Sequence, residues 1–429
     1  MALKQNLMKH SLFHTLLALE RNAKICVLTE PMFTIPFNLI APFVTLYMHV
    51  LGLDDGLIGS ILSIGMVLQV AATLMGGVLT DKLGRRKTTF IFDMLSWSVP
   101  CILWAFAQNF WWFMAAAVFN AMSQISNISF GLLLAEDTDK AKLVNVYSWI
   151  QITGLLAAFF APISSYIVGK FDLVILMRAL YLIFFLTLTV KIFILYLLGK
   201  ETRQGDIRLR ETHNVPVSSL LNGYKDVFKM ILSSRSTLLV LGFMALTNIS
   251  SLAIGNFFGL YATENLQVSD SLIPIFPMVR AAFMLVIMFS LQGRFNRMPL
   301  RAVLIAGLCI YIISHLLLVF AQAKNLYMLF GYILMEGLAF SIIQPRKDSM
   351  LIWFVDEQQR ARINALIYVI MIAISSPFGA IIGLLSGINR LLPFIFNIVM
   401  FLAGILMIAA SRTLKKTRTT EAETAANKM

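Results

Sequence analysis

Two charged residues stand alone in long apolar runs: Arg280 in "IPIFPMVRAAFMLVIMF" and Glu336 in "LFGYILMEGLAFSII". Opposite charges at the centre of such runs can pair with each other, hold an ionic group, or exchange a proton. Glu30, directly before Pro31, is a second carboxylate in apolar surroundings, placed to cap a helix or to titrate. A denser pattern fills "GGVLTDKLGRRKTTF", where Gly77, Asp81, Lys82, Gly84, Arg85, Arg86 and Lys87 fall close together. Here Gly77 would let helix ends approach and Gly84 would permit a tight reversal, while Asp81 offers a carboxylate to amides or cations at a helix start. The three following cations can meet carboxylates on neighbouring helix ends or lipid phosphates. A loop that served only to set topology would need the charge but neither glycine nor the aspartate.

Uncharged polar residues form a second set. Asn120, Ser123, Gln124 and Asn127 recur at helical spacing, on one side of a helix that must avoid lipid. Asn38, Gln69, Gln151, Asn248 and Asn256 lie within other apolar runs. Any one of these amides can serve helix–helix hydrogen bonding alone; together they outline a polar cavity, with Trp149 and Tyr332 as flat walls. Arg280 and Glu336 likewise have two readings, a structural ion pair or a site for an anionic solute group and a proton. Asp93 and Lys191 are placed to pair between the third and sixth runs, and His315 is expected as a packing residue. The chain has no HExxH, GxSxG or phosphate-loop pattern, and Cys26, Cys101 and Cys309 lack metal or redox spacing. No enzyme and no cofactor are expected.

The elements that position these groups follow from composition. The 429 residues are 59% hydrophobic and 13% charged, with a mean hydropathy of +0.80, which excludes a soluble domain. About 20 apolar residues span a bilayer as a helix. On that measure the expected spans are 27–50, 57–79, 88–108, 110–134, 145–169, 174–198, 236–263, 270–291, 300–321, 325–345, 361–387 and 391–410. This is an all-α membrane protein of twelve transmembrane helices, since the alternation of a β-barrel is absent. Arg280 and Glu336 then share the midplane of the eighth and tenth spans.

The hydrophilic stretch 199–235 divides the chain into six-helix bundles at 27–198 and 236–410, with a surface helix expected near 219–232. Residues 1–26 carry an amphipathic segment expected to lie at the membrane interface, and 411–429 form a polar tail. The halves are similar at a shift of about 215 residues, as "APISSYIVG" near Pro162 and "SPFGAIIG" near Pro377 illustrate. Lysines and arginines collect at both termini and in the loops after even-numbered spans, with Lys170, Arg178, Lys324 and Arg390 opposite. Both termini are therefore expected in the cytoplasm. The net charge of +13 is scattered over short loops, so anionic headgroups and not nucleic acid are the expected partner.

Gly77, Asp81, Lys82, Gly84, Arg85, Arg86 and Lys87 resemble the loop motif G-x-x-x-D-[RK]-x-G-x-[RK]-[RK] of the major facilitator superfamily (MFS). With twelve spans and a repeated half, the resemblance covers nearly the whole chain. It implies two pseudo-symmetric bundles, a cytoplasmic gate at the motif, and a cavity lined by the eighth and tenth helices. The second half keeps only "GRFNRMPLRAV", with Arg297 where the repeat would place the aspartate. The fourth span lacks the arginine common in the family, and Ala161 precedes Pro162 where drug antiporters carry glycine. The resulting expectation is a monomeric secondary active transporter of the plasma membrane, moving a small polar or amphipathic organic solute by alternating access with protons as coupling ion. A multidrug efflux antiporter is the alternative within the family; a transporter-like membrane sensor or lipid scramblase is the alternative outside it.

Overall fold

The computed structural model describes residues 19–411 other than 139, 169, 213, 217–223, 292–294, 296–297 and 354–359. The expected amphipathic segment before residue 19, Arg297 and the polar tail lie outside the described residues. Within them, eleven helices are long and apolar enough to cross a membrane, from Arg21–Val50 to Leu392–Ala410. In the hydrocarbon every backbone N–H and C=O must be satisfied within its own segment, which is why such runs become helices. The fifth expected span is two shorter helices, Lys140–Ala158 and Ala161–Val168. Pro162 follows the break at once, because it cannot donate to the preceding turn.

Proline also shapes the first span. It runs as Arg21–Thr29, Pro31–Ile40, a 3-10 turn Ala41–Phe43 and Val44–Val50, with Pro31 and Pro42 at the joints and Pro36 inside the second of these helices. Side-chain caps start several other spans. Asn109 accepts from Trp111 N–H at 3.1 Å, Asp172 from Val174 N–H at 2.8 Å, and Ser234 from Thr237 N–H at 3.3 Å, each satisfying an amide with no intrahelical partner. The third span changes register part-way, passing from helix Arg85–Asp93 through a π-helix Met94–Ser98 to Val99–Ala105.

The chain divides into two compact units, Met1–Leu53 with Ile64–Asn222, and Gly223–Met429 with Asp54–Ser63. The helix Asp55–Leu83 thus begins among the residues of the second unit. There, an added Cβ on Gly383 would lie 2.7 Å from Gly59 Cα, and one on Gly379 2.9 Å from Ser63 N. Only glycine allows backbones this close. Within the first unit, the chain after the sixth span folds back as a helix, Arg203–Thr212, that the polarity of its sequence did not announce. The expected surface helix is described over Tyr224–Ser233.

Candidate functional site

In the second unit the eighth and tenth spans bring Arg280 and Glu336 together. The guanidinium Nη2 donates to Glu336 Oε1 at 2.9 Å and Nε donates to Oε2, a two-pronged contact. The partners are unequally enclosed, for the Glu336 side chain is 4% exposed and that of Arg280 32%. Nη1 has no protein partner among the described residues. Phe340, one turn beyond Glu336, lies with its ring centroid 4.6 Å from the guanidinium carbon. Tyr332, one turn before Glu336, is buried with its hydroxyl unpartnered. Its ring stacks on Phe258 at 5.4 Å and meets His315 edge-on at 5.7 Å. A guanidinium held along one edge and open along another can bind a second anion in the same plane.

His315 itself is fully buried. Its Nδ1 lies 2.9 Å from the Tyr311 carbonyl, and Asn397 Nδ2 lies 3.2 Å from its Nε2 and 3.1 Å from the Ser250 carbonyl. The neutral tautomer with hydrogen on Nδ1 satisfies all three contacts, so the ring ties the seventh, ninth and twelfth spans as a packing residue.

The amides of the first unit divide among different neighbours. Asn120 donates to the Ser96 carbonyl at 2.9 Å, whereas Gln124 donates to Gln69 at 3.2 Å. Asn127 is exposed. The fourth span is broken at Met122, between Phe110–Ala121 and Ser123–Ala135, so its regular spacing does not give one continuous polar face. Asn38 and Asn256 donate to carbonyls in their own helices, Thr34 at 2.8 Å and Leu252 at 2.9 Å. Trp149 packs against the cluster of Leu19, Ala23, Cys26 and Leu134. Gln151 is helical, with its side chain outside the described residues.

Lys191 pairs with Glu30, not Asp93: Nζ lies 2.8 Å from Glu30 Oε2, with both side chains nearly enclosed. The rings of Phe33 and Phe130 flank the ammonium at 5.2 and 5.1 Å. Among the described residues no group of three or more His, Cys, Asp or Glu is placed to hold a metal ion.

At the loop motif the hub is Arg85, which is buried. Its Nη1 donates to Asp81 at 3.0 Å, and its Nε and Nη2 donate to Glu136 at 3.0 Å each. Asp81 therefore serves a side chain. The amides at the start of the third span go instead to Glu201, which accepts from Arg85 N–H at 2.8 Å and Arg86 N–H at 3.1 Å. Gly84, at φ 85° and ψ 158°, turns the chain beside that carboxylate. Thr212 closes the far side by donating to the Asp81 carbonyl at 3.0 Å. The close approach belongs to Gly76, whose Cβ would meet Ile128 Cδ1 at 2.6 Å, while nothing described lies within 4 Å of one on Gly77. Arg86 lies over Tyr196 and Lys87 is exposed; Lys82 is half-buried.

Sequence reasoning missed Glu136, Glu201 and a further cluster in the second unit. Asp55 is buried and accepts from Ser386 at 2.6 Å and from Arg390 Nε at 3.2 Å, and Arg390 also reaches Glu264 at 3.5 Å. The Asp-Asp-Gly before the second span reads as a helix start, which hides a long-range ion pair.

A sequence profile described as Major Facilitator Superfamily matches residues 32–298. No curated protein matches the chain. Among solved structures, a variant of the nucleoside transporter NupG superposes with a TM-score of 0.69 at 13% identity, covering 92% of this chain and 100% of that one. A peptide transporter POT variant in complex with sulfate gives 0.68 at 14%, with 93% and 94% covered. The human organic anion transporter MFSD10 (TETRAN) gives 0.59 at 15%, with 90% and 99% covered. At these identities the likeness is one of fold.

Proposed function

Because the chain belongs to the Major Facilitator Superfamily, we propose that it is a secondary active transporter that moves a small polar or amphipathic organic solute across the plasma membrane by alternating access, with protons as the coupling ion. The observation that carries this reading is the unequal enclosure of Arg280 and Glu336. Glu336 occupies one edge of the guanidinium, which leaves N–H donors on the other edge for a second anion. Here Phe340 lies against the guanidinium while the Arg280 side chain stays partly open. A solute carboxylate or phosphate binding that edge competes with Glu336 for the same cation. The released carboxylate, in a dry site, is then stabilised by taking a proton. Solute and proton binding become linked, as coupled transport requires.

Tyr332, with its unpartnered hydroxyl one turn before Glu336, supplies a further polar contact in the second unit. The Arg85 network serves as the cytoplasmic gate. Both termini lie in the cytoplasm, the basic loops face anionic headgroups, and the chain works as a monomer. Counterflow tests this reading: purified protein in liposomes loaded with unlabelled solute, from a panel of carboxylated, phosphorylated, neutral and cationic compounds, is offered the labelled form. Saturable exchange of an anionic or zwitterionic solute is expected. Exchange confined to large apolar cations would point to drug efflux, and lipid movement without saturable exchange would point to a scramblase.

A further inference from the structure

The first unit holds a charge cluster, with Glu30 and Lys191 buried and Asp93 half-buried, that solute binding at Arg280 leaves unused. Glu30 of the first span and Lys191 of the sixth form a 2.8 Å ion pair, and Asp93 of the third interacts electrostatically with both. Two carboxylates thus lie in the field of one ammonium. Among the described residues Asp93 makes no ion pair of its own, and the Ser126 hydroxyl of the fourth span, which donates to the Ser123 carbonyl at 3.1 Å, is the polar side chain of that span nearest in effect. The remaining faces of the ammonium are covered by Phe33 and Phe130. An unbalanced negative charge among helices inside a membrane is costly, and one proton removes it.

We propose that Glu30, Asp93 and Lys191 form a proton-binding site within the first unit, separate from Arg280 and Glu336, in which Asp93 gains and loses the proton while Lys191 stays on Glu30. The coupling role of this site rests on the transporter reading above; its proton binding does not. Local geometry singles out Asp93. It is the last residue before the π-helix Met94–Ser98, and insertions of this type concentrate at functional positions because they shift the helical register and free backbone groups. Here the Ser96 carbonyl takes a bond from Asn120 and the Ser96 hydroxyl is unpartnered.

Polar groups connect Asp93 to the end of the unit that carries the loop motif. One turn towards that end, Thr89 and Ser129 hydroxyls lie 2.8 Å apart. Asp93 also lines a narrow crevice with Thr89, Arg86 and Tyr196. The titratable or charged groups around it are Cys26 and Glu30 on the first span, Lys191 and Tyr196 on the sixth, and Arg86 on its own helix. The fourth span contributes only the hydroxyls of Ser126 and Ser129.

The test is pH-difference infrared spectroscopy of the full chain in lipid nanodiscs without solute. The native protein should show a protonated-carboxyl C=O band that vanishes as pH rises. Glu336→Gln should retain that band and Asp93→Asn should lose it. Glu30→Gln should lose it too, because one carboxylate then remains for one ammonium; this variant also decides the matter if Asp93→Asn does not fold. Asp93→Glu should move the band in frequency, whereas Glu30→Asp should leave it in place. Survival of the band in Asp93→Asn or in Glu30→Gln, the reverse pattern of frequency shifts, or no titrating band in Glu336→Gln would each overturn the proposal. None of these readouts depends on transport, so they fail or succeed apart from counterflow.

Discussion

Gly84 and Glu201 are predicted to act as one unit, which a double-mutant cycle can measure. Gly84 sits at φ 85° and ψ 158°, a region that only glycine occupies readily, so alanine there costs about 1–2 kcal/mol of backbone strain. The added Cβ would also lie 2.5 Å from Glu201 Oε2 and 3.1 Å from its Cδ, displacing the carboxylate from the two amides it caps. Charge-assisted hydrogen bonds contribute about 1.5–3 kcal/mol, and the partly open setting puts this cap at about 2 kcal/mol. Gly84→Ala should then destabilise the first unit by about 3–4 kcal/mol and Glu201→Ala by about 2 kcal/mol. The double variant should cost no more than Gly84→Ala alone, because the carboxylate that the new methyl displaces is already gone. The coupling energy is therefore about 2 kcal/mol. Unfolding in mixed micelles at increasing fractions of SDS reads all four corners of the cycle. Additive losses, within about 0.5 kcal/mol, would refute the shared contact.

Glu136→Gln should impair transport and stability more than Asp81→Asn. The first leaves buried Arg85 with Asp81 alone, at about 3 kcal/mol, whereas Asp81 is the more exposed partner and its loss leaves the Glu136 contact intact; thermal melts and uptake assays on the two variants check the order. Gly383→Val should detach the start of the second span, since its Cβ would fall 2.5 Å from the Asp55 carbonyl and 2.7 Å from Gly59 Cα, and backbone cannot yield as a side chain can. A cysteine placed at Ile58, which is fully buried, should then label several-fold faster with a water-soluble maleimide, and an unchanged rate would count against that contact. A reporter fused after Lys200 should behave as cytoplasmic and one near Asp54 as external; the reverse would overturn the orientation and the gate with it.

The sequence carried the architecture because lipid imposes a length rule on apolar runs, and it brought Arg280 and Glu336 to one depth because both lie at the centres of well-bounded spans. Glu30 was harder. Hydropathy begins the first span after the polar "ERNAK", whereas the helix starts at Arg21, which moves Glu30 inward to the level of Lys191. Side-chain amides in the fourth span followed helical spacing in sequence, yet the break at Met122 sends Asn120 and Gln124 to different neighbours. Glu136 and Glu201 were illegible for another reason: loop and helix-end carboxylates have no periodicity, and their partners are set by tertiary contacts 51 and 116 residues away.

The central claim is that Arg280 and Glu336 bind solute and proton and are not merely a structural pair. The direct measurement is accumulation of the counterflow-identified solute in liposomes under an imposed pH gradient, comparing the native protein with the double variant Arg280→Met and Glu336→Met. Replacing both partners of a buried pair by apolar side chains of similar size is close to neutral for folding, so the variant should be monodisperse and stable. The account predicts that the native protein concentrates the solute and the folded double variant does not. A double variant that accumulates solute as the native protein does would contradict it.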